Sequence, residues 1–310
     1  MILTVTANAA LDRVIFIPRF TPKETMRALH TVESVGGKGL DSSVVLQSLG
    51  IANQALSFVA GQNGKRVARL LEGYGIPHEL VWVNGETRIA HVIVETDCQR
   101  HSHIITNGYR VEQADVDVFL ARFAGLLSTA SWVIAAGSLP QGMPADFYAQ
   151  ITEISHRAGT MVLVDCPGEP ARKSIQASPD ILKMNRTEFA STFSLEPTSI
   201  EELRSCAGKV LSEYGLPSLV ITSGADGILA ITSDIALLAA SPRQQEVNAA
   251  GAGDAVSALL AWRFSQGDDW AKALRWAAAA SAAVVLTEGT ADCHPADVQK
   301  ILDQVTIREM

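Results

Sequence analysis

The stretch "SWVIAAGSLPQGMPADFYAQITEISHRAGTMVLVDC", Ser131 to Cys166, holds two short apolar runs separated by an amphipathic segment. "SWVIAAGS" and "TMVLVDC" are short, apolar and bounded by turn residues, as strands buried on both faces are. Between them, "PADFYAQITEISHRAG" has helical spacing and ends at Gly159, a residue type suited to the C-terminal cap. Two buried strands joined through a helix predict a parallel pair with the helix lying on the sheet.

The same rhythm extends outward from this unit. Further strand candidates are "ILTVTA", "ALSFVA", "DILKMN", "SLVITSG" and "GILAIT". Helical patterns include "GLDSSVVLQSLG", "GKRVARLLEGYG", "ADVDVFLARFAGLLS" and "SIEELRSCAGKVLSEYG", with Gly50, Gly75 and Gly215 at their ends. The fold class is therefore α/β, with a central, mostly parallel sheet flanked by helices on both faces. Residues 12–35 and 86–105 break the rhythm with long alternating segments, and Pro18 and Pro22 interrupt the first. Both read as antiparallel strands of a small separate β-sheet inserted at two points. Residues 1–11, 36–85 and 106–310 then form the main body.

Composition excludes several classes. The chain has 310 residues, 47% hydrophobic and 19% charged, with a formal net charge of −8. That charge argues against nonspecific binding of nucleic acid or of an anionic membrane. The start "MILTVTANAALD" lacks a basic n-region, and the longest apolar run, "WAAAASAAVVL", is too short to span a bilayer. Cys98, Cys166, Cys206 and Cys293 are widely spaced, which speaks against a zinc site or a disulfide framework. The expected location is a reducing cytoplasm.

In open α/β sheets, ligands bind at the carboxyl ends of the strands. Informative residues follow the strand candidates in turn: "NAALD", "GSLPQG", "CPGEP", "MNRTE" and "SGADG". Late in the chain, "NAAGAGDAVSALLAW", Asn248 to Trp262, starts an apolar helix with Gly251, Ala252, Gly253 and Asp254. Free N–H groups there suit an anion, and Asp254 suits either a helix cap or a general base. "SVGGKGLDSS" is a second glycine-rich entry to a helix. It is either a tight turn capped by Asp41 or Ser42, or a loop whose Gly36, Gly37 and Gly39 let a ligand approach beside Lys38. The Walker A spacing is absent.

"KMNRTEF" sets Asn185 and Glu188 three apart, which fits a capping box or a hydrated Mg²⁺. "SGADG" fits a hairpin turn or a turn facing a nucleotide. Arg88, in "GETRIAH", is either a surface arginine or a clamp for phosphate. His101 and His103 share one strand face, and without a third ligand they read as part of a polar sheet face.

Together these residues resemble the PfkB (ribokinase-like) carbohydrate kinase family over nearly the whole chain. The nearest branch is that of fructose-1-phosphate, tagatose-6-phosphate and minor fructose-6-phosphate kinases. "NAALD" resembles N-P-x-x-D, "GGKGLD" G-G-K-G-x-N, "ETRIA" T-R-x-N and "GSLPQGMPADFY" G-S-L-P-x-G-x-x-x-x-x-Y. "KMN..E" resembles K-P-N-x-x-E, "GAGDA" G-A-G-D-[AS], and "LTEGT" the late E-G-T.

The resemblance implies a ribokinase-like fold whose inserted β-sheet is a lid, and a homodimer formed through that lid. It implies ATP and Mg²⁺ as cofactors and a sugar phosphate as the other substrate. Asp254 would be the base, with Gly251, Ala252 and Gly253 as the anion hole. Asn185 and Glu188 would hold Mg²⁺ through water. Lys183, Asn185, Ser223, Gly224, Gly227 and Gly253 would line the nucleotide site. Asp12, Gly37, Lys38, Asp41 and Ser138 would face the sugar, and Arg88 with Arg27 would hold its phosphate.

Several positions depart from the family pattern: Ala9, Asp41, Ala90, Met184 and Ala249, and the segment "CQRHSHIITNGYRV", which lacks the T-E-I-N-E-P-G stretch. Asp41 adds negative charge where a sugar hydroxyl would bind. These changes gather on the sugar side and imply a substrate other than fructose 1-phosphate or tagatose 6-phosphate. A kinase of an unphosphorylated sugar or nucleoside, and a sugar-phosphate-binding regulator without catalysis, are the competing readings. A dinucleotide oxidoreductase ranks low, because no G-x-G-x-x-G follows the first strand.

Overall fold

The computed structural model describes residues 1–98 and 100–310; Gln99, within the second irregular stretch, lies outside the described residues. The chain opens with β1 (Ile2–Thr6), β2 (Ala10–Ile17), β3 (His30–Gly36), α1 (Lys38–Ser48), β4 (Asn53–Ala60) and α2 (Gly61–Tyr74). It continues through β5 (His78–Val83), β6 (Arg88–Glu95), β7 (Arg100–Ile105), α3 (Gln113–Leu126), β8 (Trp132–Ala136) and α4 (Phe147–Arg157). Next come β9 (Met161–Asp165), α5 (Gly168–Ile175), β10 (Ile181–Asn185), α6 (Arg186–Phe193), α7 (Ile200–Tyr214) and β11 (Ser218–Thr222). The last elements are β12 (Ile228–Thr232), β13 (Ala236–Ala240), α8 (Ala252–Ser265), α9 (Trp270–Val284), α10 (Pro295–Leu302) and β14 (Thr306–Glu309).

Among the described residues, ten strands form one sheet in the order β14-β13-β12-β11-β10-β9-β8-β1-β4-β5. From β5 to β11 all neighbours pair in parallel, and β12, β13 and β14 add an antiparallel edge. The unit Ser131–Cys166 is β8–α4–β9, with Trp132 opposite Met161 in a parallel register.

Side chains alternate across this sheet and build two cores. Ile2 and Ile134 pack with α1, α2, α8, α9 and α10 on one face. Leu3 and Val133 pack with α3, α4, α5, α6 and α7 on the other. Phe58, Phe119, Phe147 and Tyr148 are fully buried in the second core and stack in succession. Full burial of an aromatic such as Phe119 contributes about 1.5–3 kcal/mol.

The second sheet has the order β3-β2-β6-β7. Its two segments join through β2 and β6, which run parallel, with Asp12 opposite Ala90. The expectation of purely antiparallel strands is corrected there. The two segments leave the body in the same direction from strand ends on the same side, so adjacent β2 and β6 must be parallel. β5, β13 and β14 are strands additional to the sequence candidates, as are helices α5 and α10. Among the described residues, no helix is long and apolar enough to cross a membrane.

Candidate active site

The carboxyl ends of β8, β9, β10 and β11 open onto a cavity of about 600 Å³, roofed by the small sheet. It is lined by Asp12, Lys38, Asp41, Arg88, Lys183 and Asp254, together with Gly37, Ser138, Asn185, Glu188, Gly251 and Gly253. Four of the strand-end loops read from the sequence thus converge from distant parts of the chain, while Ser223, Gly224 and Gly227 of "SGADG" lie outside the lining.

The turn into α8 shows why its residues are small. Gly251 is the helix cap, with φ 88°, and a Cβ there would stand 2.4 Å from the Ala291 Cα. Only glycine tolerates both conditions. Among the described residues, the N–H groups of Gly251 and Gly253 have no protein acceptor, while Ala252 N–H donates to the Ala249 carbonyl at 3.2 Å. Asp254 does not cap the helix. It lies buried in the first turn, and its carboxylate makes no side-chain hydrogen bond or ion pair among the described residues. Burial pushes its pKa up to about 7; Lys183 and Lys38 pull it down, while Asp165 and Glu188 push it up.

Asp165 ends β9 and is fully buried. Its Oδ1 accepts from Lys38 Nζ at 2.7 Å, and its Oδ2 accepts from Lys183 Nζ at 2.5 Å and from Ser257 Oγ at 3.1 Å. Burial opposes its ionisation, but Lys183 and Lys38 win and hold its pKa at about 2. Lys38 also donates to Glu188 at 2.8 Å. Burial pulls Lys38 down, but Asp165, Glu188 and Asp254 outweigh it and keep the ammonium charged. One carboxylate therefore poses a lysine from each glycine-rich and strand-end motif. The sequence signal for Asp165 is its place after "MVLV" at a strand's carboxyl end, one residue before "CPGEP".

The capping box is real: Asn185 Oδ1 accepts from Glu188 N–H at 2.8 Å, and Glu188 Oε2 accepts from Asn185 N–H at 2.9 Å. α1, by contrast, has Gly37 as its cap and no side-chain cap. Ser42 Oγ instead lies within 3.1 Å of the Asp254 carbonyl, which joins α1 to α8. Ser223, Gly224 and Gly227 form the turn between β11 and the antiparallel β12, closed by Ser223 N–H donating to Gly227 O at 2.9 Å.

Beneath the small sheet, Asp12 is buried against Gly36, where a Cβ would stand 1.8 Å from Asp12 Oδ1. Burial pushes its pKa up to about 7, against the Thr290 hydroxyl and Arg88. Arg88 is no free surface arginine: its Nη2 donates to Asn8 O at 2.9 Å and it lines the cavity. Asn8 Nδ2 in turn donates to Ser138 Oγ at 3.3 Å. Arg27 is not brought in; it is exposed on the connection between β2 and β3. The two histidines take different partners. His103 lines the cavity, while His101 Nε2 meets Glu246 Oε1 at 2.8 Å. Sequence reasoning also missed Thr222 and Thr290, which line the cavity.

The sequence model of the pfkB family carbohydrate kinases matches residues 4–297. The chain belongs to the pfkB family of carbohydrate kinases. A 1-phosphofructokinase of Bacillus subtilis (strain 168) is 30% identical, with 100% of each chain covered. An ATP-dependent 6-phosphofructokinase isozyme 2 of Mycobacterium tuberculosis is 28% identical over 97% of this chain and 89% of that one. A crystal structure of a possible 1-phosphofructokinase from Thermotoga maritima is 26% identical, covers 100% of this chain and 99% of its own, and superposes with a TM-score of 0.91. The pfkB kinase is thus a sugar kinase, matched to its family along nearly its whole length.

Proposed function

We propose that this pfkB kinase transfers the γ-phosphoryl group of ATP to a hydroxyl of a sugar phosphate, as tagatose-6-phosphate, fructose-1-phosphate and fructose-6-phosphate kinases do. The observation that carries the reading is Asp254: a buried, unpartnered carboxylate in the first turn of α8, beside two free N–H groups. In this role Asp254 takes the proton of the attacking hydroxyl. A pKa of about 7 leaves it partly ionised at neutral pH and basic enough to accept that proton. The N–H groups of Gly251 and Gly253, with Ala252 between them, receive charge on the transferring phosphoryl oxygens. Lys183 stands close by: a Cβ on Gly253 would lie 3.5 Å from its Nζ.

Lys183, Asn185, Ser223, Gly224 and Gly227 form the nucleotide side in this reading, and Asp12, Gly37, Lys38, Asp41, Ser138 and Arg88 the sugar side. Arg88 holds the substrate phosphate; Arg27 gains no support from a single chain. The small sheet acts as a lid, and its exposed Leu29 and Ile104 favour pairing with a second copy as a homodimer.

Mg²⁺ fits as a companion of the nucleotide rather than as a caged ion. Among the described residues, no three histidines, cysteines or carboxylates converge on a metal position. Glu188 spends one oxygen on Lys38 and the other on Asn185 N–H. Asn185 and Glu188 would therefore hold the ion through its waters. When bound, it supplies charge neutralisation on the phosphates.

A second reading, an unphosphorylated sugar or nucleoside as acceptor, draws support from one fact: Arg88 is the one arginine lining the cavity. A coupled ATP-consumption assay over hexose and pentose phosphates and the parent sugars separates the two. Turnover with a sugar phosphate is expected, with R88A raising KM about 10–100-fold through loss of a charged hydrogen bond. Turnover of free sugars alone, insensitive to R88A, would establish the second reading. Tight binding of a sugar phosphate with no turnover would identify a regulator.

A further inference from the structure

Three carboxylates face the sugar end of the cavity: Asp12 from β2, Asp41 from α1 and Asp254 from α8. Their exposures are 7%, 6% and 8%. Among the described residues none of the three makes an ion pair; Asp12 faces the Thr290 hydroxyl, and Asp41 Oδ1 is buried without any partner. The two lysines are committed elsewhere, and Arg88 forms no ion pair with any of the three carboxylates. Lys183 binds Asp165, Lys38 binds Asp165 and Glu188, and Arg88 donates to Asn8 O. Three unpaired charges cannot share one buried pocket without at least one being neutralised.

The surroundings decide which. Asp254 faces Lys183 and Lys38. Asp12 has the Thr290 hydroxyl and Arg88. Asp41 faces the two other carboxylates, Asp254 and then Asp12, against only the Gly37 N–H and Arg88. The strands beneath α1 (β1, β4 and β8) bring no titratable side chain. β3 brings His30 and Glu33, which pair with Glu288 and with Arg13 and Arg66. Tyr74, at the end of α2, is itself raised by burial and adds no charge.

We propose that Asp41 is a specificity-determining residue, which stands in the pocket as a neutral carboxylic acid and donates its proton in a hydrogen bond to an acceptor oxygen of the substrate. The inference rests on the kinase reading above. Burial, Asp254 and Asp12 all push the Asp41 carboxyl well above its ordinary value, in agreement. The aspartate that replaces asparagine in G-G-K-G-x-N therefore keeps a donor rather than adding a charge. An anionic sugar phosphate enters without meeting a third carboxylate anion.

Two measurements test this. The first is kcat/KM against pH for the parent, D41N and D41A, with an acceptor that the panel shows to be phosphorylated. The parent activity falls at alkaline pH as Asp41 ionises, and that falling limb disappears in D41N. The rising limb set by Asp254 stays where it is. D41A loses on the order of tenfold, the worth of one hydrogen bond, and D41N recovers part of it. The second, independent of turnover, is the infrared carbonyl band of a protonated carboxylic acid at neutral pH. It is present in the parent and weakened in D41N. An unchanged alkaline limb in D41N, or no infrared difference, overturns the proposal. If no acceptor is phosphorylated, the kinase reading has failed, and the infrared difference still decides the state of Asp41.

Discussion

Asp165 Oδ2 receives Lys183 Nζ at 2.5 Å, with the carboxylate fully buried behind the cavity lining. The pair is the buried anchor of the site, because the other oxygen of Asp165 holds Lys38. D165N would leave Lys183, only 2% exposed, as a buried ammonium without its carboxylate. The expected loss is about 3–5 kcal/mol in denaturant unfolding, together with a fall in kcat. A stability within experimental error of the parent would show that the lysines find other partners.

In the proposed reading, Asp254 carries the pH dependence of turnover. Its pKa of about 7 means that kcat/KM rises as pH rises through neutrality, because the base must be ionised to accept a proton. D254N should lower kcat on the order of 10²–10⁴-fold while sugar binding, followed by calorimetry, is kept. Turnover within about tenfold of the parent would remove Asp254 from the role of base.

Stability follows pH with the opposite sign for two sets of carboxyls. Asp12, Asp41 and Asp254 have raised values, so the folded chain binds more protons than the unfolded one above the ordinary carboxylate range. Their contribution is full below the ordinary carboxylate range and is lost progressively as pH rises from there through about 7. Asp165, held at about 2, contributes above the ordinary range and loses its effect as pH falls toward that value. Melting of D41N and D254N should therefore gain on the parent between about pH 5 and pH 8. A constant difference across that interval would show that neither carboxyl titrates there in the folded chain.

G251A tests the catalytic turn without touching any charge. Alanine there is strained at a φ of 88° and collides with Ala291. A stability loss of about 1 kcal/mol or more is expected, with kcat falling further than KM rises because the N–H groups move. Wild-type kcat in a stably folded G251A would argue against a role for this turn in phosphoryl transfer.

The main sheet was legible because its strands are buried on both faces and read as continuous apolar runs between amphipathic helices. β14, "TIRE", was not, since a short polar edge strand carries no period to read. β5, "HELVWV", is half exposed at the opposite edge and lacks the same apolar signal. Glycine-rich turns and strand-end motifs could be named one by one. Which side chains pair across the cavity could not, because Asp165 with Lys38 and Asp41 with Asp254 meet only through tertiary packing. The capping box at Asn185 was legible from its three-residue spacing, whereas the lack of a side-chain cap at Gly37 was not.

Val247 packs into the apolar inner face of the small sheet, beside Val14, Phe16, Val92 and Val94, only a few residues before Gly251. The roof of the cavity is thus tethered by a short length of chain to the turn that starts α8. A roof lifted from an empty pocket would pull on that tether and disturb the turn. The two glycine N–H groups at the start of α8 therefore depend for their placement on a valine seated in the core of another sheet.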